Sequence, residues 1–231
     1  MIFAAVTPLF VFSAWLLLLL VSLSVPIIRS IYVLRLTAYA GTSFLDASAS
    51  AVARFGVWGY CISSINLSIA GLSGSTDSQL CSSPRLGYNF DSTVQSALRA
   101  QDVDPNALSH ELTAVLVLHP IACGLSFLVF LSSFLLFCGR RVPRPAVFSV
   151  LGLGLLTATV TTISFLFDVI FVAVAKQRIT NESDGALHGT WGNGVWMVLG
   201  ATIALWFALA SSIVAIMQVK NNSKLKNTSF Y

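Results

Sequence analysis

Four long apolar runs constrain this chain more than any other feature. They cover about residues 2–28, 112–138, 146–175 and 195–219. A run of 18 or more apolar residues reads as a membrane-crossing helix, because about 20 residues at 1.5 Å rise cross a hydrocarbon core of about 30 Å. Composition agrees. Charged residues make up only 10% of the chain and hydrophobic ones 56%, against about 25% charged in an ordinary soluble domain. The expected class is an α-helical integral membrane protein with a bundle of four spans. The first run has no basic stretch ahead of it and no clear small-x-small site after it. It therefore reads as a retained helix rather than a cleaved signal peptide.

Basic residues suggest the orientation. The connection between the second and third runs carries Arg140, Arg141 and Arg144, and the stretch 220–231 carries Lys220, Lys224 and Lys226. Short basic connections stay cytoplasmic. Both termini are thus expected inside, with residues 29–111 and 176–194 outside. The net charge of +4 reads as a topology signal and carries no indication of nucleic-acid binding. On this orientation the sequons at Asn66 and Asn181 face outward and are candidates for glycosylation. Those at Asn221 and Asn227 face inward and should stay unmodified. Cys61 and Cys81 lie in an oxidising compartment and are expected to form a disulfide. Cys123 reads as a small apolar core residue. Cys138 ends the second run beside Arg140 and Arg141 and is a palmitoylation candidate.

The outer connection 29–111 is too long for a plain loop. "IYVLRLTAY" (31–39) and "AVARFGVWGYCIS" (51–63) are rich in β-branched and aromatic residues and read as strands, and "SQLCSS" (78–83) adds another. "GLSGSTDS" (71–78) reads as a turn-forming linker. "DSTVQSALRAQ" (91–101) looks helical with Asp91 as its cap. A further helix is expected to start near Asp104 and Pro105 and to run into the second span. A three- or four-stranded sheet buries little by itself, so a Cys61–Cys81 bridge matters, at about 3 kcal/mol for a loop of this size. Strict alternation puts Trp58 and Tyr60 on one strand face and Phe55, Val57 and Cys61 on the other. The aromatics are expected to rest on helix ends or at the lipid interface. Gly56 and Gly59 leave room for close backbone approach.

Within the spans, Asp168 is costly in lipid and marks a point of interest. Gly154, Thr157, Thr161 and Ser164 precede it at helical spacing. His119, Cys123, Ser126 and Ser133 form a second seam, and Gly200, Ala204, Ala208 and Ser212 a third. Such small and polar stripes pack helix against helix. His119 lies about eight residues past Glu111, and Asp168 about eight before Lys176, so both sit roughly 12 Å below the outer surface. An imidazole N–H donating to the Asp168 carboxylate would satisfy it. The pair either holds the bundle together or titrates and reports pH. His110 and His188 are placed near the outer surface. There is no metal-type Cys/His spacing, no G-x-S-x-G and no P-loop. The single intramembrane acid and the lack of paired broken helices argue against a transporter. No enzyme, cofactor, metal or small-molecule substrate is expected.

A tryptophan, a glycine and a cysteine followed by a second cysteine, in the first outer connection of a four-span chain, resemble the claudin-like architecture. "FGVWGYC" (55–61), "CSSPRLGYNF" (81–90), "LTAVLVLHPIACGLSFLVFL" (112–131), "FLFDVIFVAVAKQRI" (165–179) and "GNGVWMVLGATIALW" (192–206) narrow it. Together these blocks are similar to the fungal PalI family of Rim/Pal pH-response regulators, itself related to the Sur-type membrane proteins. The resemblance runs over about residues 50–215. It implies a plasma-membrane protein that supports ambient-pH signalling by helping to place or stabilise a seven-span PalH-type sensor. The Sur-type relationship implies the alternative, an organiser of eisosome-type membrane compartments acting through self-association. The stretch after the fourth run, 220–231, is far shorter than the hydrophilic tails some members carry, and no role resting on such a tail is expected from it.

Overall fold

The computed structural model describes residues 2–42, 47–69, 72–76, 80–84, 105–138, 144–182 and 187–228. Four helices carry the apolar runs: α1 (Ile2–Ser22), α2 (Pro105–Cys138), α3 (Arg144–Glu182) and α4 (Asn193–Thr228). Six strands lie between them: β1 (Leu34–Thr42), β2 (Ala47–Phe55), β3 (Tyr60–Ile69), β4 (Leu72–Thr76), β5 (Leu80–Cys81) and β6 (Leu187–Trp191). Among the described residues, three helices hold apolar stretches long enough to cross a membrane: Leu116–Phe134, Val147–Gln177 and Asn193–Gln218. α1 contributes the shorter apolar stretch Val6–Ser22. α1 stops at Ser22, short of the expected 28, because the chain turns there to meet the sheet. α2 starts at Pro105, where a ring that lacks an N–H costs nothing. α4 runs on to Thr228, so most of 220–231 is helical. At 1.5 Å per residue α2, α3 and α4 are each about 50–60 Å long, well beyond a hydrocarbon core.

The helices close a ring in which α1 packs on α2 and α4, and α3 packs on α2 and α4. Their centre is built from small side chains set among leucines: Ala14, Leu18, Ala122, Cys123, Ala158, Ala201 and Leu205. Lipid is as apolar as this core, so close van der Waals fit is what draws the helices together. Gly154 shows the fit: a β-carbon there would sit 3.1 Å from Leu209. Large apolar side chains, among them Phe148, Leu166, Trp196 and Phe207, point outward, as a lipid-facing surface requires. Trp206 also faces out, and its indole N–H donates to Thr162 Oγ1 at 3.2 Å.

The sheet is antiparallel, in the order β4-β3-β2-β1-β6, with β5 paired to the other end of β3's outer edge. It differs from the sequence expectation in four ways. The run 51–63 is two strands, broken by a tight turn at 56–59 whose Gly56 N–H donates to the Gly59 carbonyl at 2.9 Å. That turn cancels simple alternation. Phe55 and Tyr60 are cross-strand partners on one face, with ring centroids 5.9 Å apart, and Cys61 lies on the other face opposite Arg54. Residues 72–76, expected as linker, form β4, because pairing with 65–69 overrides the poor strand propensity of Gly and Ser. Finally, β6 comes from the connection between α3 and α4 and lies antiparallel to β1. The helix expected at 91–101 lies outside the described residues.

Cys61 and Cys81 form a disulfide between registered partners of β3 and β5. Cys61→Ser, Cys81→Ser and the double variant are each expected to lose about 3 kcal/mol. Thermal unfolding in detergent checks this. An additive loss in the double variant would contradict a shared covalent bond as the cause.

Candidate functional site

Two constellations stand out, one where the sheet meets the bundle and one inside the bundle. The first is built from "FGVWGYC". Val57, at the tip of the β2–β3 turn, is fully buried and packs with Val21 of α1, Leu116 of α2 and Val198 of α4. Backbone bonds hold it there. The Val57 N–H donates to Ser24 Oγ at 2.9 Å, and the Trp58 N–H to the Val25 carbonyl at 3.3 Å. The Trp58 indole N–H donates to the Ser22 carbonyl, the last residue of α1. The ring thus caps a helix end whose carbonyls lack intrahelical donors.

The two glycines have steric reasons. A β-carbon on Gly56 would sit 2.5 Å from the Val25 carbonyl oxygen, and one on Gly59 would collide with Ser82 Oγ. Ser82 follows Cys81 and pairs with Tyr60 in both directions. Its N–H donates to the Tyr60 carbonyl at 2.9 Å, and its Oγ accepts from the Tyr60 N–H at 3.1 Å. The disulfide and this serine therefore fix the same corner.

A second clamp lies at the start of α4. Gly192 and Gly194 N–H groups donate to the Val33 and Tyr32 carbonyls, at 2.9 and 3.0 Å. The Asn193 side chain accepts from the Tyr32 N–H at 3.0 Å and donates to the Ser30 carbonyl at 2.8 Å. Sequence reasoning missed Ser22, Ser24, Ser82 and Asn193. Only Asn193, between two glycines, carried a local sign of a special backbone.

The second constellation lies inside the bundle, within the apolar stretches of α2 and α3. His119 Nε2 of α2 lies 3.1 Å from Asp168 Oδ2 of α3, with both residues buried. A proton on Nε2 serves the carboxylate, and Nδ1 is left buried without a partner. Pro120, next in the chain, has no N–H for the Leu116 carbonyl, so α2 loses one rung of its ladder beside the pair. Thr157, Thr161 and Ser164 line the inward side of α3 below Asp168, and Ser126 lies on α2. Each hydroxyl donates to a carbonyl three or four residues earlier in its own helix. The α4 seam is shifted from expectation. Ala208 is buried, whereas Gly200, Ala204 and Ser212 are only half-buried, and the inward line instead runs Val195, Val198, Ala201, Leu205.

The remaining sites are more dispersed. Asn66 is on β3, flanked by β2 and β4, and Asn181 is in the last turn of α3. Cys138 ends α2. The side chains of these three lie outside the described residues, as does that of His110. His188 is exposed on β6. Among the described residues no group of three or more His, Cys, Asp or Glu side chains is arranged to hold a metal.

A ring of apolar helices under a disulfide-linked antiparallel sheet defines an α-helical membrane protein with an appended β-domain. The chain belongs to the SUR7/PalI family, whose family model matches residues 3–218. That span takes in the whole sheet and all four helices but for the last ten residues of α4 and the first of α1. No curated protein matches the chain. The SUR7/PalI family is not a known enzyme family.

Two outcomes follow from this geometry. Gly56→Ala should destabilise the fold and expose the β2–β3 turn to protease, whereas Gly124→Ala, with open space around it, should change nothing. Equal proteolysis of the two would refute the close-approach role. For the buried pair, a double-mutant cycle with His119→Gln and Asp168→Asn should give a coupling of about 0.6–1.7 kcal/mol, the scale that such cycles find for interhelical hydrogen bonds in bilayers. Unfolding in mixed micelles measures it, and a coupling near zero would remove the pair from the account of stability.

Proposed function

We propose that this protein is a four-span, claudin-like component of the plasma membrane that supports ambient-pH signalling, with both termini cytoplasmic and the sheet outside. It acts without chemistry of its own, by assisting the localisation or stability of a seven-span PalH-type sensor. The observation that carries this reading is the family match across residues 3–218. The arrangement of side chains supports it. The buried hydroxyls of α2, α3 and α4 are spent on their own helices, and the outward surface of the spans is apolar and aromatic, a surface suited to lipid and to other helices. Basic residues at 140–144 and 220–226 favour the stated orientation. The His119–Asp168 pair then serves the fold of the bundle, and a role in reporting pH is an added property to be tested on the same variants.

A second reading is favoured by the SUR7 half of the same family: an organiser of eisosome-type membrane compartments through lateral self-association. Aromatic side chains along α1 and α2 suit it. Phe12, Trp15, Phe127, Phe130 and Phe134 form a chain of rings with centroids 5.3–6.2 Å apart, several of them exposed.

Deletion of the gene, with imaging of a tagged PalH-type sensor and growth at alkaline pH, separates the two. Loss of the sensor from the plasma membrane together with alkaline sensitivity is the expected result. A correctly placed sensor and normal growth would overturn the accessory role. Stable patches of the tagged protein that persist without the sensor would then support the organiser.

A further inference from the structure

The face of the sheet turned away from the helices carries an uncommon pairing. Arg35 of β1 and Arg54 of β2 are direct cross-strand partners. Their strand neighbours Leu34 and Leu36 point the other way, Leu34 into the cluster with Val172 and Val195. Like charges directly opposite each other destabilise a sheet, and an arginine cannot shed its proton to escape. Both side chains are half-buried, and the Nε of each is buried with no hydrogen-bond partner. Arg54 is further held with its guanidinium 5.7 Å over the Tyr32 ring. The row continues with Thr190 on one side and Cys61, bridged to Cys81, on the other. His188, exposed, lies in the next row of the same face. Asp168, the one carboxylate among the described side chains, is buried in the bundle. Two fixed cations thus stand side by side on a disulfide-anchored row, with no anion from the described residues to separate them.

The geometry points to an oxyanion site here: Arg35 and Arg54 together bind one phosphate or carboxylate group, which bridges the two guanidiniums. Charge-assisted, forked contacts to such groups are what arginine offers over lysine. The anion relieves the repulsion between the two strands and so ties ligand binding to the stability of the sheet. A free anion and a phospholipid headgroup present the same chemistry, and the orientation of this face away from the helices favours the free anion.

The test uses the full chain in phosphatidylcholine nanodiscs, with inorganic phosphate as the probe and melting temperature as the readout. Phosphate should raise the melting temperature saturably, and chloride at matched ionic strength should not. Arg35→Gln and Arg54→Gln should each weaken the apparent phosphate affinity about tenfold or more, a loss of two charge-assisted contacts. Without phosphate both variants should melt at or above the parent, since a repulsion is gone. Arg35→Lys keeps the charge and loses the fork, so it should fall between; it also serves if the glutamine variant does not fold. Lys176→Gln, beneath the opposite face against Gly189, should bind phosphate like the parent. Nanodiscs containing phosphatidic acid distinguish the source: a melting temperature raised by that lipid in the parent and not in the glutamine variants, with a weakened response of the parent to added phosphate, marks a headgroup already in the site. No saturable shift in the parent in either lipid, or equal shifts in parent and glutamine variants, would overturn the proposal.

Discussion

The seating of Val57 is the contact on which the rest of the arrangement depends. A sheet of short strands has too little core to stand alone, and this one lies on the ends of helices that have their own unsatisfied carbonyls. Both deficits meet at one turn. Val57 fills the space between Val21, Leu116 and Val198, while its own N–H and that of Trp58 find acceptors in Ser24 and Val25. The Trp58 indole closes on Ser22. A single residue thus gives the sheet a share of the bundle's core, and the neighbouring backbone leaves few polar groups stranded in doing so. Gly56 permits this because any side chain there would strike Val25.

Inside the bundle the governing constraint is that lipid supplies no hydrogen bonds. The chain meets it locally wherever it can. Thr157, Thr161, Ser164 and Thr202 each donate to their own helix, so they line the interior without depending on a neighbour's position. His119 and Asp168, both buried, behave differently, because neither can be satisfied within one helix. Their contact ties α2 to α3 at one depth and in one rotation, which loosely shaped alanine and leucine packing does not do. The unpartnered Nδ1 shows that this fixing is made at some cost in stability.

How much of this was legible in the sequence follows from the range of each interaction. The helices were, because an apolar run is a local property. The pairing of His119 with Asp168 was approachable too, since depth along a helix is linear in residue number and each span carried an outlier at the same depth. The sheet was half legible. The β-rich pattern of β1 begins three residues before the strand itself, and 51–63 looks like one strand, since glycines at 56 and 59 look alike whether they bend a strand or reverse it. β4 and β6 were not found at all. "LSGST" and "LHGTW" are short and interrupted by glycine, so their few strand-favouring residues carry no clear signal; each is extended because an open edge of β3 or β1 lies beside it. Ser24 and Ser82 were equally invisible, since a serine bonding across a fold has the same sequence signature as one facing water.

β6 also changes what the sheet is. Its strands would otherwise all come from one connection, attached to the bundle at α1 and α2. By adding β6 beside β1, the chain joins the sheet to the ends of α3 and α4 as well. Lys176 of α3 lies over the Trp191 ring at 5.9 Å, and the 192–194 backbone is bonded to residues 32 and 33. Shifting the sheet against the bundle would therefore break buried backbone bonds at both the α1 and the α4 side. A ligand or partner engaging the outer face of β1 and β2 acts on strands whose other face rests on Val172 and Val195, one helical turn from Asp168. The sheet and the buried His119–Asp168 pair thus belong to one packed unit, and a change at either has to be accommodated by the other.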